Sequence, residues 1–314
     1  MRTHEHGNEL VNAPGSPVPR RTALAGLVVL LGAAACSGTA PQPRRLRIAA
    51  GAGDLGADLA ALVNAHLRNV AASVVRPAAP TGAADLIARG EAELGFSQTD
   101  ILGPDQSVTA LARVYDDLLH LVVQADRPIT TVDDLRGRRV SVGESGSGTA
   151  VTAGRLLAAA GVEAGAYDRS ELGLDDAIGA LARGDVDAFF FSGGLPVAGI
   201  RDLSARTRIR IVDLAGWAGT LRGTYSDVYV VRNIPTSTYQ APPSATIADT
   251  TLLLASASLP DALAFDVTRL LLEHRDTLAA THPALEALDA RSAVATMPAP
   301  LHPGAARYYR SVKP

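Results

Sequence analysis

From residue 46 onward, short apolar runs alternate with stretches whose apolar residues recur every three or four positions, as strands followed by helices do. Leu55, Leu59, Leu62, Val63 and Leu67 share one helical face, and Leu263, Val267, Leu270 and Leu271 share another. This alternation predicts an α/β chain with mainly parallel sheets, in which those stripes face the core. Earlier in the chain, residues 23–35 (ALAGLVVLLGAAA) form an uncharged run preceded by Arg20 and Arg21. A bilayer span takes about 20 apolar residues, so this run is short for one, and residues 1–35 read as a signal peptide. Cys36 follows directly, and SGTAPQP after it is a linker of small residues and proline.

One order of features appears twice. LRIAAG (46–51) runs into a small-residue loop and a helix, and RVSVGESGSG (139–148) does the same, with Gly51 and Gly143 lying 92 residues apart. IARGEAELGF (87–96) is then echoed by LARGDVDAFF (181–190), with Ala88 and Ala182 separated by 94. Each of the latter units reads as a helix ended by Gly90 or Gly184, an acidic turn and a buried strand. Two similar α/β lobes follow, each opening with a strand, a glycine-rich turn and a helix N-terminus. Ligands of open α/β sheets sit beyond the carboxyl ends of the strands, so facing lobes would line one cleft with both turns.

The second turn, Gly143-Glu-Ser-Gly-Ser-Gly148, precedes a helix predicted from Thr149 to Ala160, with Ser147 or Thr149 as its N-cap. A helix N-terminus offers unsatisfied N–H donors and partial positive charge, which suit a carboxylate or phosphate. The loop is not a P-loop, because no lysine follows its glycines. Gly143, Gly146 and Gly148 lack the dinucleotide spacing, and Gly143-Glu-Ser145-Gly-Ser147 lacks the last glycine of a hydrolase elbow.

Composition narrows the function classes. The 314 residues are 47% hydrophobic and only 4% aromatic, with a formal charge of −3, which lacks the basic footprint of a nucleic-acid binder. A single cysteine excludes disulfides within the chain, and a single lysine, Lys313, excludes chemistry that needs an interior lysine. The seven histidines are scattered without metal-ligand spacing. Asp116-Asp117, Asp133-Asp134 and Asp175-Asp176 read as turn and N-cap residues. No catalytic residue, metal or cofactor is expected.

Four further stretches carry a family resemblance: ELGFSQTD (93–100), DDLLHLVV (116–123) with DLRGRRVSVGESGSGTAVTAGRLLAAAGV (134–162), DAFFFSGGLP (187–196) and MPAPLHPGAARYY (297–309). Across roughly 46–310 the chain resembles the TAXI-family solute receptors, the TRAP-transporter branch of the type II periplasmic binding proteins. The resemblance implies a two-lobed α/β fold whose cleft lies between lobes joined by two hinge strands. It also implies an extracytoplasmic receptor, not an enzyme, that captures a small organic anion or amino acid, such as glutamate, glutamine or a dicarboxylate, for TRAP membrane permease subunits. By position, Gly146, Ser147, Gly148 and Thr149 would present donors to a carboxylate. Gln98 would bind the ligand, Asp100 would orient or cap, Phe191, Ser192 and Gly193 would supply wall and donors, and Gly51, Gly53 and Asp54 would form the first-lobe turn.

The resemblance has departures. GAGDLGADLA (51–60) lacks the family's Gly-Gly and tyrosine and brings in Asp54 and Asp58, while TGAADL (81–86) has Ala83 near an expected asparagine. Asp54 either meets a ligand amine or caps the helix. Trp217 either walls the cleft or packs in the core. The small residues before Cys36 resemble a lipobox, with Ala33 where leucine is preferred. Cys36 is then either a lipidated first residue, the chain's membrane contact, or a neighbour of ordinary cleavage. Arg20-Arg21-Thr-Ala-Leu24 also resembles a twin-arginine export signal. The expected organisation is a signal peptide (1–35), an anchor linker (36–44), one lobe from 45–125 and 235–314, and a second from 126–234, acting as a monomer.

Overall fold

The computed structural model describes residues 43–50, 55–76, 82–103 and 107–313. The first repeat comprises β1 (Arg44–Ala49), α1 (Leu55–His66), β2 (Val70–Val75), α2 (Ala83–Ala88) and β3 (Leu94–Gln98), followed by the long strand β4 (Val108–Gln124). The second comprises β5 (Arg139–Ser141), α3 (Gly148–Ala159), β6 (Asp168–Ser170), α4 (Leu174–Arg183) and β7 (Ala188–Gly193). Then come α5 (Ala198–Ser204), β8 (Ile209–Ile211), α6 (Ala218–Thr224), β9 (Val230–Ile234), α7 (Thr236–Tyr239) and the second long strand, β10 (Ser244–Ser256). The chain closes with α8 (Asp261–Glu273), α9 (Arg275–Ala279), α10 (Ala290–Ala293) and α11 (Pro303–Ser311).

The strands run in the order β2-β1-β3-β10-β4-β7-β5-β6. In the first repeat β1 lies parallel between β2 and β3, and in the second β5 lies parallel between β6 and β7. Both repeats end a helix at a left-handed glycine, Gly90 (φ 69°) and Gly184 (φ 76°), a backbone setting that costs a residue with a Cβ about 1 kcal/mol or more. Both also lock the following strand with one device. Arg47 donates its backbone N–H and its guanidinium to Glu93, while Arg139 does the same to Asp187. In return the Glu93 and Asp187 amides donate to the Arg47 and Arg139 carbonyls. The pairs sit at the separations of the sequence repeat, so the duplication extends to individual ion pairs.

Between the repeats, β4 and β10 pair antiparallel over residues 108–118 and 248–256 and then exchange neighbours, so the middle of the sheet is antiparallel where the alternation predicts mainly parallel pairing. Residues 118–123 of β4 pair with β7, whereas residues 251–255 of β10 pair with β3 and residues 244–248 with β9. The cores divide at the same level. Leu46, Leu94, Leu111, Leu253, Val267 and Tyr309 belong to one buried cluster, and a second small one adjoins it around Ala49, Ala110 and Leu252. Leu119, Val140, Leu156, Phe190 and Ile247 form another, beside a cluster around Leu118, Phe189, Ile200 and Ala248. Thus β4 and β10 carry the chain through both halves of the sheet, and the halves have separate hydrophobic interiors.

Smaller expectations resolve as follows. Ser147 is the N-cap of α3, accepting from the Ala150 amide at 3.1 Å. Trp217 packs against the core of the second half, and Tyr308 and Tyr309 pack into that of the first. Asp134 accepts from the Thr130 and Thr131 amides and Asp175-Asp176 open α4, but Asp116 and Asp117 lie inside β4 rather than in a turn. Their neighbours supply the strand propensity, and antiparallel pairing with β10 overrides what two adjacent acids favour locally.

Candidate functional site

The last residues of β3 and β7 meet across the seam between the halves. Gln98 ends β3, and its Nε2 donates to Ser192 Oγ (3.1 Å), which belongs to β7, and to Asp249 Oδ1 (3.3 Å) on β10. Gln98 and Ser192 are 94 residues apart, the separation of the second repeat motif. Ser192 Oγ in turn donates to Asp117 Oδ1 at 2.6 Å, and the Ser192 amide donates to Thr149 Oγ1 at 3.0 Å. A Cβ on Gly148 would overlap the Gln98 Oε1, so the side chain reaches the first turn of α3 only because that residue is glycine. Gly194 closes the other side, with the Tyr115 ring and the Ala284 methyl where its Cβ would lie.

Asp100 joins the halves more strongly. Its Oδ2 accepts from Thr152 Oγ1 (3.1 Å), Arg155 Nη1 (3.1 Å) and the Tyr229 hydroxyl (2.7 Å), all from the second half. Its own amide donates to Asp249 Oδ2 at 3.2 Å. The Asp100 side chain is fully buried, and its Oδ1 has no donor from another residue. Asp117, Asp249 and Asp100 therefore bring three buried carboxyl groups to the level where β4 and β10 change partners.

Burial first, and the neighbouring carboxyls second, shift the titration of Asp117 and Asp249. Burial pushes Asp117 up to about 6, against the Ser192 and Thr251 hydroxyls, with repulsion from Asp100 and Asp116 adding to the rise. Burial also raises Asp249 well above the usual carboxylate range, followed by repulsion from Asp100 and Asp117, and its contact with the Asp100 side chain favours the protonated form. Burial opposes the charge on Arg155, but the Tyr229 hydroxyl and Asp100 outweigh it and hold the guanidinium ionised. Behind the seam, fully buried His120 faces the Leu118 and Phe191 carbonyls through Nδ1 and the Tyr239 hydroxyl through Nε2 (2.9 Å). Burial lowers His120 to about 4, so the ring is neutral and fixes the backbone of Phe191.

Of the residues expected at the cleft, Gln98, Asp100, Gly148, Thr149 and Ser192 converge at this seam. Phe191 and Gly193 flank Ser192 on β7, Gly146 is exposed in the preceding loop, and half-buried Ser147 caps α3. Asp58 is held at 2.9 Å by the Thr281 hydroxyl and at 3.0 Å by the His282 ring. Cys36, Gly51, Gly53 and Asp54 lie outside the described residues. Asp117, Asp249, Thr152, Arg155 and Tyr229 were not among the expected site residues. A signal for the first two exists: each acid adjoins a run of apolar residues of the kind that builds a buried strand, in DDLLHLVV and ATIADTTLLLA. Among the described residues, no group of three or more His, Cys, Asp or Glu side chains is arranged to hold a metal ion, and no helix is long and apolar enough to cross a membrane.

Residues 54–312 match the NMT1-like family. Among solved structures, a Listeria monocytogenes protein assigned to L-cystine ABC transport is 12% identical, with 78% of this chain and 97% of that chain covered at a TM-score of 0.51. The periplasmic aliphatic sulphonate binding protein SsuA from Escherichia coli is 18% identical over 87% of this chain and 84% of its own, with a TM-score of 0.44. The amino acid ABC transporter substrate-binding protein AbpA from Streptococcus pneumoniae, bound to L-arginine, is 14% identical over 77% and 94%, with a TM-score of 0.46. The likeness to the Listeria protein is one of fold, the two-lobed α/β architecture expected from the sequence.

Proposed function

This chain belongs to the NMT1-like family, and on that premise we propose that it is an extracytoplasmic solute receptor that binds a small organic anion or amino acid at the seam and hands it to a membrane transporter. The observation that carries the reading is the meeting of Gln98 and Ser192, equivalent strand ends of the two repeats, beside the N-terminus of α3. Strand ends beside a helix N-terminus are where open α/β folds take ligands. We place the two lobes at the partner changes in β4 and β10, one built from the described residues between 43 and 117 and from 249 onward, the other from 118–248. Solute bridging both lobes then favours the closed arrangement by its extra contacts there, and only that arrangement docks productively on the transporter.

Two finer assignments belong to the same proposal. The transporter is of the TRAP type with a TAXI receptor, as the glycine loop and the terminal Leu-His-Pro-Gly motif support, and residues 1–35 are an export signal that leaves Cys36 as a lipid anchor. Metabolic labelling with a fatty-acid probe tests the anchor: Cys36→Ser should lose the label, and label retained in that variant contradicts it. An enzyme on this fold that uses a lysine-bound cofactor is disfavoured, because Lys313 is the chain's one lysine and sits at its terminus. The receptor reading is tested by thermal unfolding of the full chain with glutamate, glutamine, 2-oxoglutarate, arginine and alkanesulfonates. A bound solute at 100 times its Kd stabilises by about 2.7 kcal/mol. No shift with any of them, together with hydrolysis of a test ester, would overturn the reading.

A further inference from the structure

Away from the seam, α10, the Leu301 bridge to β4 and α11 border a cavity of about 960 Å³, near the upper end of the range for small-molecule sites. Val294, half-buried Leu301 and Ala306, and Tyr309 line it. The Tyr309 hydroxyl donates to the Leu111 carbonyl at 3.0 Å, so its polar end is engaged in the core and the ring is what the cavity meets. More apolar surface is left open here than elsewhere. Val294 and Val312 are exposed, and Met297, between α10 and Leu301, is 79% exposed. Among the described residues these are three of the six large apolar side chains left exposed, and such a concentration marks a binding surface.

The rim has the opposite character. Arg291 on α10, Arg310 in the last turn of α11 and Lys313, the chain's one lysine, all border the cavity and are exposed. Among the described residues none of the three has a carboxylate at ion-pair distance, whereas Arg269 and Arg275 of the same half are paired with Glu273 and Asp276. The one acid in the lining, Asp289, is the N-cap of α10 and accepts from the Arg291 and Ser292 amides. Those amides hold its carboxyl below the usual range, so it stays ionised. Three cations against one carboxylate leave a charge of +2 at this cavity, on a chain whose formal charge is −3. We propose that the cavity is a second binding site, for an amphipathic anion whose apolar tail lies on Val294, Leu301 and Tyr309 and whose carboxylate or sulfonate head meets Arg291, Arg310 and Lys313. Burial of the tail supplies affinity, and the cations select the sign of the head. The site shares no residue with the Gln98–Ser192 seam, so it stands whether or not the seam binds solute.

Octanoate tests this, with octanol as its neutral match, octyltrimethylammonium as its cationic match and butyrate as its short one, each kept below aggregation. Titration calorimetry of the full chain should find octanoate bound about 10-fold or more tighter than any of the other three. Arg291→Glu combined with Arg310→Glu should weaken octanoate binding by about 10-fold or more, while the thermal unfolding midpoint stays as it was, because both side chains are exposed. Octanol or butyrate binding as tightly as octanoate, or no octanoate binding at all, overturns the proposal. Undiminished octanoate affinity in the doubly substituted chain also overturns it, and places the octanoate elsewhere. Co-sedimentation with phosphatidylglycerol vesicles distinguishes a membrane-facing patch: chain carried down by vesicles without binding monomeric octanoate gives the surface to a bilayer and overturns the cavity site.

Discussion

Asp117 and His120 stand three positions apart on β4 and titrate in opposite senses, which makes the stability of this chain a direct probe of the buried seam. Asp117 rises from 3.8 to about 6 on folding, roughly two pKa steps of 1.36 kcal/mol each, or about 3 kcal/mol. Between about pH 4 and pH 6 the folded chain keeps a proton there that the unfolded chain has lost, so this contribution is present in acid and is lost as pH rises through 6. His120 falls from 6.5 to about 4, again about 3 kcal/mol. Its stabilisation is present above 6.5 and is lost as pH falls through 4, because the unfolded ring takes a proton that the folded ring refuses. The two slopes largely cancel over one window, while Asp249, also raised, adds to the carboxyl side. Urea unfolding of Asp117→Asn and His120→Gln at pH 4, 5, 6 and 7 separates them. Relative to the unaltered chain, Asp117→Asn should gain about 3 kcal/mol from pH 4 to 7, and His120→Gln should lose about as much over the same range. Differences that stay constant with pH for both variants would refute the burial argument.

Other consequences concern the contacts that close the seam. Gly194→Ala forces a methyl between the Tyr115 ring and Ala284, which cannot swing aside, and should cost about 1–3 kcal/mol in urea unfolding. Gly148→Ala meets only the mobile end of Gln98 and should cost about 1 kcal/mol, the value of the displaced hydrogen bonds, with solute affinity falling more than stability. If Gly148→Ala proves the more destabilising of the two, the assignment of which side yields is wrong. Tyr239→Phe removes the acceptor of the Val197 amide and the partner of His120 Nε2, so thermal unfolding should report a loss of about 1–3 kcal/mol; an unchanged midpoint would place water or another group there.

Much of this arrangement is legible in the order of residues because it is repeated. Gly90 and Gly184, the acidic turns after them and the strands that follow give two copies of one unit, each of which sets a buried strand beside a parallel neighbour. From that repeat, Gln98, Thr149 and Ser192 follow as strand-end and helix-start residues. Asp117 and Asp249 do not, because their position depends on the register of β4 against β10, where Asp249 pairs with Asp117 across more than a hundred residues of sequence. Adjacent acids in isolation favour turns, and only the pairing of two long apolar strands buries them. Arg155 and Tyr229 are similar cases: an arginine in the middle of a helix and a tyrosine before a strand look solvated until the halves close and Asp100 lies between them.

The central claim is that the seam beside Gln98 and Ser192 is the solute site, and calorimetry of the full chain against its Gln98→Ala and Ser192→Ala variants tests it most directly. With a solute found by the thermal screen, the account predicts binding at one solute per chain and an affinity at least 10-fold weaker in each variant, beside a stability loss of about 1–3 kcal/mol from the severed buried hydrogen bonds that leaves the variants folded. Undiminished affinity in both variants would contradict it and place the site elsewhere on the chain.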